Sequence, residues 1–233
     1  MKKFLLFSIA IITLSACQFK RGSGNIISEK RATGDFKGIA VGGDFDVQLL
    51  TGPVTEVLVE ADDNMMNYVE TRVSGDILKI GLRDLHNYGD AHLKVYITAP
   101  EITSIRASAA ADVTAGNGLK SAGKLSFSSS SSGNISAEVD APEIEVETSS
   151  ASTVKLWGRT RNFHATASSG ADVKAFDLLS ENASVNASSG ASARVHASLS
   201  LNANASSGAN IVYRGSATLQ KTVSSGGNVE KRN

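Results

Sequence analysis

One cysteine, Cys17, is present in the 233 residues. No disulfide can form within the chain, so the fold must be held by backbone pairing and packing. Aromatic residues make up only 6% of the sequence, with a single tryptophan. Such a chain has the makings of a narrow core and none of a base-stacking platform. Charge of one sign is also missing, because Lys+Arg and Asp+Glu each number 23. That balance, without a basic stripe, argues against nucleic acid as a partner. Proline occurs three times against 21 glycines, a ratio that suits tight corners. The hydrophobic content, 41%, is sufficient for one core.

The apolar run from Phe4 to Leu14 follows Lys2 and Lys3. It is too short for a membrane-spanning helix and reads as an export signal over residues 1–17. Leu14-Ser15-Ala16-Cys17 resembles the bacterial lipoprotein lipobox, in which the cysteine becomes the lipidated first residue of the mature chain. The alternative is an ordinary secretory signal that ends in cysteine. Lipidation at Cys17 implies a membrane partner through acyl chains and a place in the cell envelope. Gln18 after the cysteine, in place of an inner-membrane retention aspartate, favours the outer membrane, with the leaflet left open. Residues 18–33, with Lys20, Arg21, Gly22, Ser23 and Gly24, are expected to form a tether.

Residues 34–233 are expected to be one domain. Its second half repeats Ser168-Ser169-Gly170-Ala171-Asp172-Val173. Seven copies end at residues 113, 135, 154, 173, 193, 211 and 229, which are 18 to 22 residues apart. Five residues before each end stands a serine (Ser108, Ser130, Ser149, Ser168, Ser188, Ser206, Ser224). One residue before it stands a short polar side chain (Asp112, Asn134, Thr153, Asp172, Ser192, Asn210, Asn228). Ahead of each corner apolar residues alternate with polar ones. Leu125, Phe127, Ile144, Val146, Val185, Leu201 and Ala203 fall on one parity, and Ser126, Glu145, His164, Ser184 and Asn202 on the other. A period of two marks a strand with one buried face. No copy carries an apolar stripe of helical spacing, and the leucine–asparagine pattern of leucine-rich repeats is missing.

The architecture expected is therefore all-β, a single-stranded parallel β-helix with one coil per repeat. Stacked serines and Asx residues should hydrogen-bond along the axis, as polar ladders do. Ala167, Ala187 and Ala205 should line a thin interior. Asp46-Val47 matches the end of the repeat, with Gly42 in the serine position, so residues 34–100 are expected to be diverged coils ahead of seven regular ones over 101–233. Asp62-Asp63-Asn64 is expected to cap a helical turn at Met65.

Few residues invite chemistry. Glycosidases need two carboxylates about 5 to 9.5 Å apart, yet Asp172 has Thr153 below and Ser192 above in its file. The histidines His86, His92, His164 and His196 show no metal-ligand spacing, and no serine has a histidine beside it in its file. No catalytic group, metal or cofactor is expected. Candidate surface contacts are Glu143, Glu145 and Glu147, which alternate along one strand, and Lys174 with Arg194, one coil apart, as a basic spot for an anionic glycan. Trp157 is a candidate too, either as a cover on the coil edge or as a ligand-stacking residue. Each of these also reads as an ordinary solvated or structural residue.

The lipobox, Gly34-Asp35-Phe36-Lys37-Gly38-Ile39-Ala40-Val41, Asp46-Val47, Asp62 to Val73, Asp76-Ile77-Leu78-Lys79-Ile80 and the Ser-Ser-Gly coils follow one another in order. Together they resemble the bacterial family called putative auto-transporter adhesin, head GIN domain, over roughly residues 30 to 230. The resemblance implies a right-handed coil, export to the envelope of Bacteroidetes-type bacteria, and an adhesin label; it supplies no catalytic or binding residues. The regular solenoid without convergent catalytic groups is itself expected to serve as a binding scaffold for glycans or envelope proteins. The alternatives are a structural or regulatory envelope component without its own ligand, and a polysaccharide lyase or glycoside hydrolase.

Overall fold

Each serine corner is a four-residue turn. In the copy at Ser168 the N–H of Ala171 donates to the Ser168 carbonyl at 3.1 Å, and Ser169 and Gly170 between them have φ of 51° and 72°. Positive φ at both central residues, closed by such a bond, describes a type I′ turn. The same pair of positive angles recurs at Ala109 and Ala110, Ser131 and Ser132, Ser150 and Ala151, and in the three copies after Gly170. Small residues fill these positions because a bulky Cβ is strained there. The turns are tied to one another as well. The N–H of Gly170 donates to the Ser189 carbonyl, and that of Gly190 to the Ser207 carbonyl, each at 3.0 Å.

In this computed structural model, which describes residues 19–83 and 88–232, the corners join two parallel sheets. The export segment, Cys17 and His86 lie outside the described residues. Strands before the corners stack in register, so that Ile39, Ile105, Phe127, Val146, Ala165, Val185, Ala203 and Lys221 form one file. Strands after them stack likewise, with Val47, Val113, Ile135, Val154, Val173, Ala193, Ile211 and Val229 in file. A short third side holds Leu119, Val139, Gly158 and Leu178 in line. All but Lys221 and Gly158 of these residues are buried, and together they make a single core. The protein is a parallel β-solenoid whose coil steps follow the repeat.

The axial hydrogen bonds fall differently from expectation. Asn228 donates to Asn210 at 2.9 Å, as an Asx ladder requires. Asp172, though, accepts both of its side-chain bonds from Arg194, at 2.9 and 3.0 Å, and makes no ladder bond to Ser192. The serine corners are held by their backbone bonds, while Ser108 donates to the Val41 carbonyl at 3.2 Å.

The lower end departs from a simple stack. Gly42 pairs with Ser108 and Asp46 with Asp112, so residues 38–51 form one coil. Residues 56–99 then pass to its other side. Ile77–Leu82 runs parallel to Gly38–Gly42, and Leu93–Ala99 parallel to Asp46–Thr51. Glu56–Asp62 and Val69–Ser74 are antiparallel to these two strands rather than further coils. The expected run of diverged coils over 34–100 thus reduces to two coils closed by antiparallel strands. Alternation misled because it reports one buried face and not the direction of the neighbour.

Residues 18–33 are not a free tether where they are described. Lys20–Arg21 pairs with Tyr88–Gly89, and Ile26–Lys30 runs antiparallel to Leu58–Asp62. Buried Asp62 accepts the N–H of Gly24 and that of His92, both at 2.7 Å. Asp63 holds Ser23 at 2.6 Å and Asn25 at 2.9 Å, and Asn64 donates to the Arg21 carbonyl. The acidic run does precede a helical turn, Asp63–Met66, but Asp62 makes no capping bond there. Its side chains clamp the incoming segment instead.

Candidate functional site

A concavity lies along the third side. There the coil turns inward at Gly158, whose φ of 117° and close approach to the Val139 carbonyl leave no room for a Cβ. The short strand segments that follow place Lys120, Asp140, Arg159 and Leu179 in one outward file. Around them lies a groove of about 550 Å³ that also takes in Arg161, Glu181 and His196. A second depression of about 500 Å³ continues it past Asp140, Arg159 and Leu179 to Glu138 and Lys120. The buried hydroxyls of its floor are satisfied: Thr160 donates to the Asn162 carbonyl, and Ser180 to the His196 carbonyl. Leu179 is 57% exposed and gives the groove an apolar ridge.

The electrostatics limit what this groove can do. Arg159 donates to Asp140 at 2.6 Å. That bond and the guanidinium charge hold the Asp140 carboxyl below its ordinary range. The pairing favours the folded state above that range and is lost as pH falls through it, so near neutrality Asp140 stays ionised and cannot act as a proton donor. Beside the groove the Arg214 guanidinium lies 4.4 Å from the centre of the Phe176 ring. Among the described residues no group of three His, Cys, Asp or Glu is placed to hold a metal ion. The arrangement can bind by hydrogen bonds and charge pairs.

The residues singled out from the sequence lie elsewhere and apart from one another. Glu143, Glu145 and Glu147 stand on the sheet before the corners, beneath Asn162, His164 and Thr166. Lys124 reaches Glu145 at 2.7 Å, and Glu145 and Glu147 border a depression of about 360 Å³ with Arg106. Lys174 and Arg194 are neighbours in file on the other sheet. They do not form an open basic spot, because Asp172 lies 3.7 Å from Lys174 and 2.9 Å from Arg194. Trp157 is half-buried beside Glu138, with the Lys155 ammonium 5.7 Å from its ring. Sequence reading missed Asp140, Arg159, Arg161 and Glu181. One signal was available: opposite charges spaced by one coil, as in Asp140 with Arg159 or Lys124 with Glu145.

A sequence model described as putative auto-transporter adhesin, head GIN domain, matches residues 35–217. The chain belongs to that family. Its fold is shared by solved structures of low identity. A putative adhesin from Bacteroides fragilis superposes with a TM-score of 0.82 at 19% identity, over 91% of this chain and 99% of that one. A putative adhesin from Parabacteroides merdae gives 0.75 at 21% identity, over 91% and 98%. A protein from Parabacteroides distasonis described as a putative lipid binding protein gives 0.71 at 19% identity, over 93% and 100%. No curated protein matches this head GIN chain. The solved relatives extend the solenoid reading to the whole described chain and leave the ligand open.

Proposed function

We propose that this head GIN protein is a non-enzymatic binding scaffold of the cell envelope, anchored in the outer membrane through lipidated Cys17, whose outward files hold glycans or envelope proteins. The observation that carries this reading is the regular stacking of outward side chains over the whole length of the solenoid. Extended repeat surfaces of this kind suit binding along a face. Charged groups on the outward files pair with one another, as Asp140 does with Arg159 and Asp172 with Arg194 and Lys174. That leaves them matched for charge pairing and poorly matched to proton transfer. Family membership supports an adhesin-like role at the envelope or cell surface.

The test is a glycan array, with a parallel pull-down from envelope extract, on the chain freed of its export segment. Retention of a glycan or a defined envelope protein supports the scaffold. An empty array and pull-down, with a deletion phenotype confined to envelope stress, favours a structural component without its own ligand. Release of new sugar ends from a polysaccharide panel points to an enzyme. Vesicles belong in the same panel, given the lipid-binding description of the Parabacteroides distasonis neighbour. Anchoring is tested separately by metabolic acyl labelling, which Cys17→Ala should abolish.

A further inference from the structure

The sheet before the corners changes character halfway up. Its lower outward positions carry Glu143, Glu145 and Glu147, and the four coils above carry no Asp, Glu, Lys or Arg at the matching positions. The first outward file there is Asn162, Asn182, Ser200 and Thr218. Asn182 donates to Asn162 at 3.2 Å, and Ser200 donates to Asn182 at 2.8 Å, so this file is linked along the axis. The outer file is Thr166, Asn186, Asn204 and Thr222, in which Asn204 donates to Asn186 at 2.9 Å. Between them runs His164, Ser184, Asn202 and Gln220, so that, against the expectation from the sequence, Ser184 does have a histidine beside it in its file, although no hydrogen bond joins the two. The result is a lattice of amides and hydroxyls with rungs about 4.8 Å apart and files about 6.7 Å apart.

Two shallow troughs follow the solenoid axis through this lattice. One of about 410 Å³ lies between the first and middle files, floored at Ala183 and Leu201. The other, of about 260 Å³, lies beside the outer file, floored at Ala167, Ala187 and Ala205 and bounded by Ser188, Ser206 and Ser224. Three rises between four coils make each trough about 14 Å long. Each axial link uses one N–H or O–H of the donor and one oxygen lone pair of the acceptor, so every asparagine keeps donor and acceptor capacity for a ligand. An occupant must therefore offer both donors and acceptors at short, regular intervals and run as a chain.

We propose that this lattice binds a neutral glycan chain lying parallel to the solenoid axis. Neutrality follows from the charge pattern. The lattice offers an anionic chain no counter-charge, and the glutamate rung beneath it repels one. A protein partner would want aromatic or aliphatic anchors at the centre of the face, and none of the twelve positions supplies one. Hydroxyl-rich sugars match the surface because neutral hydrogen-bonding groups are far cheaper to desolvate than charges. The proposal rests on the scaffold reading and narrows it to one face and one ligand class.

Affinity electrophoresis of the full chain in detergent tests it, with a β-glucan and a mannan as neutral probes and polygalacturonate as the anionic one. At least one neutral polysaccharide should retard the protein, and polygalacturonate should not. Ser184→Lys with Asn202→Glu sets an opposite-charge pair along one wall of the trough, since the two residues are partners in register in the middle file. It should cut the retardation tenfold or more with the melting temperature unchanged. Lys30→Ala with Glu56→Ala, an exposed ion pair at the lower end, should leave it intact. Retardation that survives the lattice variant, or that is lost in the lower-end variant, overturns the proposal. Binding of polygalacturonate or a protein alone also overturns it while the scaffold reading stands. Binding of nothing defeats both.

Discussion

The two ends of the solenoid face the same problem and meet it differently. At the lower end, antiparallel strands Ile26–Lys30 and Val69–Ser74 lie along the outermost edges, and the Asp62-Asp63-Asn64 clamp fixes the segment that leads into them. At the upper end Thr218–Val223 and Asn228–Lys231 pair below, to Ser200–Ala205 and Asn210–Arg214, with no described strand above. There the inward files change composition. Lys221 follows Val185 and Ala203, and Lys231 follows Tyr213. One edge is covered by chain and the other guarded by charge, two of the means by which exposed β edges avoid unwanted pairing. The contrast teaches that register comes from the repeat, whereas the ends are set by residues that break it.

The largest effect expected is on position within one inward file. Ala187 is 3% exposed and Val223, two coils above it, is 44% exposed. Ala187→Asp buries an unpaired charge and should cost about 3–5 kcal/mol. Val223→Asp should stay within about 0.5 kcal/mol, as an exposed substitution does. Urea titration of the pair checks both, and equal midpoints would show that the file is not buried as described. Next comes the lower clamp. Asp62→Ala strands the amides of Gly24 and His92 and should cost about 2–3 kcal/mol. Hydrogen exchange should then accelerate at Gly24 and across residues 26–30, with the upper coils still protected.

A smaller effect separates early corners from late ones. Gly170→Ala places a Cβ at φ of 72° and should cost about 1 kcal/mol, whereas Ser132→Gly, at φ of 64°, should recover a similar amount. Thermal melts of the two variants should move in opposite directions. The smallest expected change in monomer stability comes from Lys221→Val with Lys231→Val. Its readout is assembly: sedimentation should show end-to-end association absent from the parent chain. A strictly unchanged sedimentation profile would remove the guarding role from these lysines.

How much of this was legible in the sequence depends on how the geometry constrains residue choice. The type I′ corners admit only small residues at two positions, so Ser, Ala and Gly recur there and the coil length can be counted. The outward files were legible for the same reason, since Ser184 and Asn202 fall between buried neighbours at a fixed period. The lower end was not. Val57, Val59 and Ala61 alternate as a coil strand does, yet their partner Leu93–Ala99 runs antiparallel. Ile26–Lys30 has every side chain exposed, and so leaves no burial pattern to read. It is held by backbone bonds, and the segment leading into it by side chains some 40 residues away, such as Asp63 to Ser23. The third-side groove was hidden because its charges meet only across coils.

Register between neighbouring coils underlies the corners, the files and the glycan lattice alike, and disulfide trapping measures it most directly. With Cys17 replaced by serine the background is free of thiols. Ser184→Cys with Asn202→Cys joins partners about 4.8 Å apart, within disulfide range, and should oxidise within one chain. Ser184→Cys with Ser200→Cys is offset by two residues, because Ser200 pairs with Asn182, and should stay reduced under the same conditions. A disulfide in the second variant and none in the first would contradict the stacking on which the account is built.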